Sequence, residues 1–259
     1  MKINFIHISD THIGSETDFL LHDINTYQCT QNLIKLIKDF NAPVDFILHS
    51  GDIVNRPHPK SYELADQAFS ETKYPLIYVP GNHDDPASVR KLNRIVPKSC
   101  YLNNDNSSFT FEFNGYRILV LDCNGKPEID PHGIFEKAQE AALDRYLKEN
   151  SSPRIVFLHF PPISMDIPWV DRDMLLLNGE NLHNRLANDK NGAVSLFFGH
   201  IHRRVSLIKD GISYFSAPSP FCQFGASPLD QEVIFQPGKP VSFNYVTISE
   251  NGVLVREVT

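Results

Sequence analysis

Five short apolar runs, each stopping abruptly at a polar motif, constrain this chain more than any other feature. Ile3-Asn4-Phe5-Ile6-His7-Ile8 runs into Ser9-Asp10, and Phe46-Ile47-Leu48 into His49-Ser50-Gly51-Asp52. Leu76-Ile77-Tyr78-Val79 leads to Pro80-Gly81-Asn82-His83-Asp84. Ile155-Val156-Phe157-Leu158 ends at His159, and Val194-Ser195-Leu196-Phe197-Phe198 at Gly199-His200. Short β-branched and aromatic runs closed by Gly or Pro predict buried strands. Between them, residues 30–40 place Leu33, Ile34, Ile37 and Phe40 at helical spacing, and residues 60–72, 86–95, 135–149 and 179–189 read similarly. Alternating strand and helix predicts an α/β layered fold with functional residues on loops at strand C-termini. Three hairpin signals, Asn114-Gly115, Asp210-Gly211 and Asn251-Gly252, interrupt the alternation, so the sheets should be mixed.

The chain has 259 residues, with no internal repeat or Gly/Ser-rich linker, which predicts a single domain over 1–259. Its net charge of −7 argues against a broad basic surface for nucleic acid or anionic lipid. No apolar run approaches the roughly 18–20 residues of a membrane helix. Cys29, Cys100, Cys123 and Cys222 are scattered without a Cys-x-x-Cys pair, so reduced and mostly buried thiols are expected. Because the first strand leads straight into Asp10, a cleaved leader would remove a motif residue, and a cytoplasmic protein is expected.

The five motifs are metal-ligand types delivered from strand ends. Asp10-Thr11-His12 sets a carboxylate and an imidazole two positions apart, on one side of an extended segment. Gly51-Asp52 offers a carboxylate, whose two oxygens can bridge two cations. Gly81-Asn82-His83-Asp84 offers an amide oxygen and further polar groups, His159 stands alone, and Gly199-His200-Ile201-His202 repeats the two-residue spacing with imidazoles. Imidazole, carboxylate and amide oxygen without thiolate suit borderline to hard ions, manganese and iron first and zinc as the alternative. Two such ions about 3.5–4 Å apart can clamp a phosphoryl group and bring the pKa of a bridging water to roughly 7, so that hydroxide serves as nucleophile. Asp-x-His and Gly-Asp are commonplace singly, and a lone histidine such as His159 is more often structural. Their joint occurrence in this order is what chance does not explain.

These motifs resemble the signature of the calcineurin-like metallophosphoesterase superfamily: Asp10/His12, Gly51-Asp52, Gly81-Asn82-His83-Asp84, His159 and Gly199-His200-x-His202. The resemblance implies a four-layer αββα sandwich of two mixed β-sheets flanked by helices. It implies one metal held by Asp10, His12, Asp52 and His202, and a second held by Asp52, Asn82, His159 and His200. His83 matches the family histidine that faces substrate, able to hydrogen-bond a phosphoryl oxygen or protonate the departing alkoxide. Asp84 is expected either to orient a neighbouring histidine or to serve a turn or helix cap. Residues 51–62 resemble class III 3′,5′-cyclic-nucleotide phosphodiesterases, with Asn55 where an Asp is usual and Phe160 where a second His is usual. The stretches 169–182 and 217–224 resemble pieces that border the substrate site there.

The implied activity is hydrolysis of a small phosphodiester, with a 3′,5′-cyclic nucleotide such as cAMP giving the 5′-nucleotide as first choice. Glycerophosphodiesters, phosphomonoesters and nucleotide pyrophosphates are alternatives within the class. A catalytically inactive binding module of the same fold is the rival outside it. Arg56 and His58 are candidate substrate contacts or solvated loop residues. Phe221 and Phe224 either stack on a nucleobase or pack internally. Residues 224–245 read as either a dimer surface or a lid.

Overall fold

Alternation along β1 (Lys2–Ile8) sets the layering. Ile3 and Phe5 enter one buried layer, and Ile6 and Ile8 enter another, as the period-two geometry of a strand requires. The computed structural model describes residues 1–93, 99–102, 107–149, 153–189 and 193–259. β1 is the central strand of a five-stranded sheet. It runs parallel to β4 (Phe46–His49), which is parallel to β5 (Leu76–Tyr78). On its other side lie antiparallel β15 (Phe243–Ser249) and β16 (Gly252–Val258).

The second sheet has seven strands. Its parallel centre is β8 (Tyr116–Val120), β9 (Arg154–Phe157), β10 (Val194–Phe198) and β12 (Ile212–Ser216). Antiparallel β7 (Phe109–Phe113), β6 (Cys100–Tyr101) and β11 (Ser206–Lys209) complete its edges. The two sheets face each other across an aromatic layer. Phe5 stacks on Phe46 at 5.0 Å and meets Phe197 edge-on at 5.1 Å, and Phe157 touches Phe5, Phe46, Phe111 and Phe197.

Helices cover both outer faces. α1 (Thr26–Asp39) and α2 (Pro59–Ser70) bury Leu33, Ile34, Ile37, Ala65 and Phe69 against Ile6, Ile8 and Ile47. α3 (Pro86–Leu92) adds Val89. On the seven-stranded sheet, α4 (Lys137–Glu149), α5 (Pro168–Asp173) and α6 (Gly179–Ala187) bury Leu143, Tyr146, Val170, Leu182 and Leu186 against Val156, Leu158, Leu196 and Phe198. The result is the expected helix–sheet–sheet–helix sandwich of mixed sheets.

Local chemistry moves several boundaries. α1 starts four residues before the predicted 30, because Asn25 caps it by accepting the Gln28 N–H at 2.7 Å. Of the predicted helix 86–95, α3 is formed, while Arg94 and Ile95 lie outside the described residues. Asn114-Gly115 and Asp210-Gly211 turn as expected, with φ of 47° and 85°, and of 50° and 78°. The third hairpin differs. Ser249 pairs with Gly252, so the turn falls on Glu250-Asn251 and Gly252 already belongs to β16. Elements not foreseen include strand β6, helix α5, the hairpin β2 (Leu20–Leu21) with β3 (Ile24–Asn25), and the pair β13 (Cys222–Phe224) with β14 (Phe235–Pro237). The four cysteines are unpaired, Cys123 and Cys222 buried and Cys100 exposed. Among the described residues no helix is long and apolar enough to cross a membrane.

Removal of one ring from the aromatic layer tests its weight. Phe111→Ala, remote in sequence from every strand-end motif, should cost about 3–5 kcal/mol. Urea unfolding should show a lower midpoint with little change in slope, and an unchanged midpoint would contradict this account of the core.

Candidate metal centre

The strand-end motifs converge where the two sheets meet. Asp10, His12, Asp52 and His202 form one buried cluster, and Asp52, His159 and His200 a second, with the donor atoms of each within 4.8 Å of one another. Asp52 is common to both. Its Oδ2 lies 3.5 Å from His12 Nε2 and 3.4 Å from His159 Nε2, while His202 Nε2 lies 3.7 Å from Asp10 Oδ1. Asn82 and His83 line the same pocket as His12, Asp52, His200 and His202.

The backbone is bent to achieve this. Asp10, His12, Asp52, His200 and His202 all have left-handed φ, between 46° and 70°. Such a conformation costs a non-glycine residue about 1–2 kcal/mol, and it clusters at functional sites. Cross-loop hydrogen bonds offset it. The N–H groups of Asp10, His12 and Ile13 donate to the carbonyls of Gly51, Asp52 and Ile53 at 2.9–3.0 Å, and Asn55 N–H returns to Ile13 at 3.0 Å. Close approach also requires two glycines. A Cβ on Gly51, whose φ is +109°, would overlap the His159 ring, and one on Gly81 would overlap the Asp52 carboxylate.

Hydrogen bonds orient each imidazole. His159 Nδ1 donates to the Ser50 carbonyl at 2.7 Å, and His202 Nδ1 to the Cys222 carbonyl at 2.9 Å. Nε2 is thereby left to the centre in both rings, the arrangement metal-binding histidines adopt. His200 N–H donates to both Asp10 carboxylate oxygens at 3.1 Å. Phe160 packs against the His159 and His200 rings at 4.9 Å, which explains an aromatic ring in place of another polar group. Phe224 stacks on His202 at 3.9 Å, and Phe221 meets His12 and His202 edge-on. These two rings brace imidazoles and also line the pocket.

Burial dominates the electrostatics. It pushes the Asp10 carboxyl up to about 7, against the pull of His159. Asp52 is subject to the same burial, but His159, His83 and His12 together hold it well below the usual carboxylate range. Burial depresses His12 and His200 well below the ordinary imidazole value and His202 to about 3, so these rings are neutral with lone pairs available. Burial also opposes charge on His159, yet Asp52 and Asp10 raise it to about 9.

The side chains fit a pair of divalent ions. The Nε2 of His200 and the Oδ1 of Asn82 are buried without a hydrogen-bond partner among the described residues, which buried polar atoms in native structures rarely are, and His159 Nε2 meets the Asp52 carboxylate at 3.4 Å. His12 Nε2 and His202 Nε2 face each other at 3.1 Å, and both belong to the first cluster.

Residues around the donors fall out differently from the sequence reading. Asp84 orients no histidine. Its carboxylate accepts the N–H groups of Gly81 at 2.9 Å and of Ile53 and Val54 at 3.2 Å, clamping the Asp52 loop to the Asn82 loop. The adjacent Asp85 is the cap of α3. Arg56 and His58 are exposed and do not line the pocket that holds the donors; His58 caps α2 by accepting the Lys60 N–H at 3.3 Å. Asn55 acts through its backbone, where its carbonyl accepts His83 Nδ1–H at 2.8 Å. Three residues near the centre went unnoticed in the sequence: Asp130, which accepts from Asn82 Nδ2 at 2.9 Å, Asn124, which donates to the Gly81 carbonyl at 2.7 Å, and His132. All line a cavity of about 750 Å³ that begins at Asn82 and His83. The available signal was a polar, Gly/Pro-rich stretch, Asn124 to Gly133, directly after a strand.

The Asp84 clamp is open to test. Asp84→Ala strands three N–H groups at about 1–3 kcal/mol each, so it should lower stability by about 3 kcal/mol or more and reduce bound metal measured by elemental analysis. Asp84→Asn, which retains an acceptor oxygen, should fall between. A wild-type unfolding midpoint in the alanine variant would rule the clamp out.

Comparison with known proteins agrees with this geometry. Residues 3–204 match the model of the calcineurin-like phosphoesterase family. The chain is 29% identical over 199 residues to a glycerophosphodiester phosphodiesterase of Enterobacter lignolyticus, covering 76% of this chain and 69% of that protein. It is 26% identical over 227 residues to a 3′,5′-cyclic adenosine monophosphate phosphodiesterase of Escherichia coli, covering 86% and 78%. A dimetal phosphatase from Danio rerio shares the fold, with a TM-score of 0.74 at 14% identity over 98% of this chain and 95% of that one. With the buried Asp/His clusters in place at the sheet ends, the chain belongs to the calcineurin-like phosphoesterase family and is a metal-dependent phosphodiester hydrolase.

Proposed function

We propose that the protein is a dinuclear-metal phosphodiesterase acting on small diesters, with a 3′,5′-cyclic nucleotide such as cAMP as its first substrate. The observation that carries this reading is the pair of buried clusters sharing Asp52. Asp10, His12, Asp52 and His202 would hold one ion, and Asp52, Asn82, His159 and His200 the other, manganese or iron with zinc as the alternative. When bound, such ions supply Lewis acidity toward the phosphoryl oxygens and a water ionised near neutral pH.

The chain's own contribution centres on His83. Burial disfavours its charged form, but Asp52 and the Asn55 carbonyl outweigh that and raise its pKa. With Nδ1–H committed to the Asn55 carbonyl, Nε2 is the atom left to meet a phosphoryl oxygen or to hand a proton to the departing alkoxide. At the position where an Asp is usual, Asn55 thus serves His83 through its carbonyl, together with the charge of Asp52. The net charge of −7 fits a small anionic substrate held locally rather than a polyanionic strand.

A glycerophosphodiester is the second reading, favoured by one feature. The 750 Å³ cavity beside Asn82 and His83 is walled by Arg90, Ser107, Asn124, Lys126, Asp130 and His132, and among the described residues no aromatic ring other than histidine lines it. Such walls suit a hydroxylated alcohol at least as well as a nucleobase. The relative of Enterobacter lignolyticus supports the same reading.

Manganese-loaded protein should hydrolyse bis-p-nitrophenyl phosphate, lose that activity on chelation and regain it on reloading. His83→Ala should lower kcat by about 10²–10⁴ with metal content unchanged. Full activity in demetallated protein would overturn the mechanism. Turnover of glycerophosphodiesters without turnover of any 3′,5′-cyclic nucleotide would replace the first substrate with the second.

A further inference from the structure

Asn82 is the amide among the proposed donors, and turning it over exchanges an acceptor oxygen for an NH2 donor. Its amide carries an oxygen on one side and an NH2 of nearly equal size on the other, so shape does not choose between them. The backbone around it is already tied. Asn124 Nδ2 donates to the Gly81 carbonyl at 2.7 Å, and His83 N–H donates to Asp52 Oδ1 at 3.0 Å. What remains free is the sense of the amide.

Asp130 supplies the missing constraint. Its Oδ1 accepts from Asn82 Nδ2 at 2.9 Å, while Asn82 Oδ1 is buried with no hydrogen-bond partner among the described residues. Inverting the amide would set two acceptor oxygens against each other with no proton between them. It would also turn N–H donors toward the position expected for a cation. A carboxylate is better here than a neutral acceptor at excluding the inverted form, because its charge strengthens the bond to the NH2 group.

We infer that Asp130 is a positioning residue for the amide donor: it grips Asn82 by the NH2 group so that Oδ1 is the atom presented to the second ion. The inference rests on the reading of Asn82 as a donor, and the test separates the two. Asp130 is exposed in the loop before α4, so its replacement leaves the core intact, which circular dichroism checks.

The experiment is calorimetric titration of manganese into demetallated protein, with bound metal counted by elemental analysis. Wild type is expected to take two ions. Asp130→Ala should weaken one of them by about 10–100-fold and leave the other unchanged, the usual loss when a partner of a metal ligand is removed. Asp130→Asn, whose amide can accept from the Asn82 NH2 in one sense but donate to the Asn82 oxygen in the other, should fall between wild type and Asp130→Ala. If Asp130→Ala weakens both ions alike, a general loss of negative charge and not the grip on Asn82 is at work, and the inference is overturned. If Asn82→Ala weakens one ion while Asp130→Ala binds like wild type, positioning fails and the donor survives. Wild-type binding by Asn82→Ala would remove the donor itself.

Discussion

Two carboxylates buried together, Asp10 and Asp52, govern the design of this molecule. Removing a charged carboxylate from water costs several kcal/mol even after the surroundings relax. The structure answers with groups that a fold can aim: the N–H of His200 on Asp10, the N–H of His83 on Asp52, and imidazoles within 4 Å of both. Aiming those groups requires sharp left-handed turns at the strand ends, and such turns persist only where neighbouring loops hold them. The ladder between residues 10–13 and 51–55, the two glycines against His159 and Asp52, and the Asp84 clamp all serve that end.

The centre was legible in the sequence because its donors are local. Each sits at the end of an apolar run, and the spacing within Asp10-Thr11-His12 or His200-Ile201-His202 is read without knowing what lies across the fold. The layers were legible for the same reason, since period-two alternation is a property of each strand alone. Hidden from the sequence were bonds made at long range. Asp84 serves N–H groups some thirty residues earlier, and Asp130 an amide 48 residues earlier. Arg56 and His58, read as either substrate contacts or solvated loop residues, follow Asp52 closely in the chain, yet α2 begins there and draws His58 to its own N-terminus. The Asn251-Gly252 turn was misplaced because the register of β15 against β16, and not the dipeptide, fixes where the chain reverses.

Reaction and substrate reside in different parts of the fold. The donor set is anchored to strand ends and braced by Phe160, Phe221 and Phe224, whose rings pack on the imidazoles. The large cavity, by contrast, is walled mainly by the loop after β8 and by the start of α3. Loops accept change that a sheet does not. A family can therefore hold its chemistry constant while its substrates diverge, and relatives of this chain include phosphodiesterases for both cyclic nucleotides and glycerophosphodiesters.

Each donor cluster draws on both sheets: Asp10, His12 and Asp52 follow strands of the five-stranded sheet, and His159, His200 and His202 follow strands of the seven-stranded one. The aromatic layer between the sheets is therefore a gauge block. Its thickness, set by rings such as Phe5, Phe46, Phe157 and Phe197, fixes how far apart the two halves of each cluster stand. A methylene added or lost in that layer, well away from any polar atom, would be transmitted as a change of span at the centre. Core volume and donor spacing are in this molecule one dimension measured at two places.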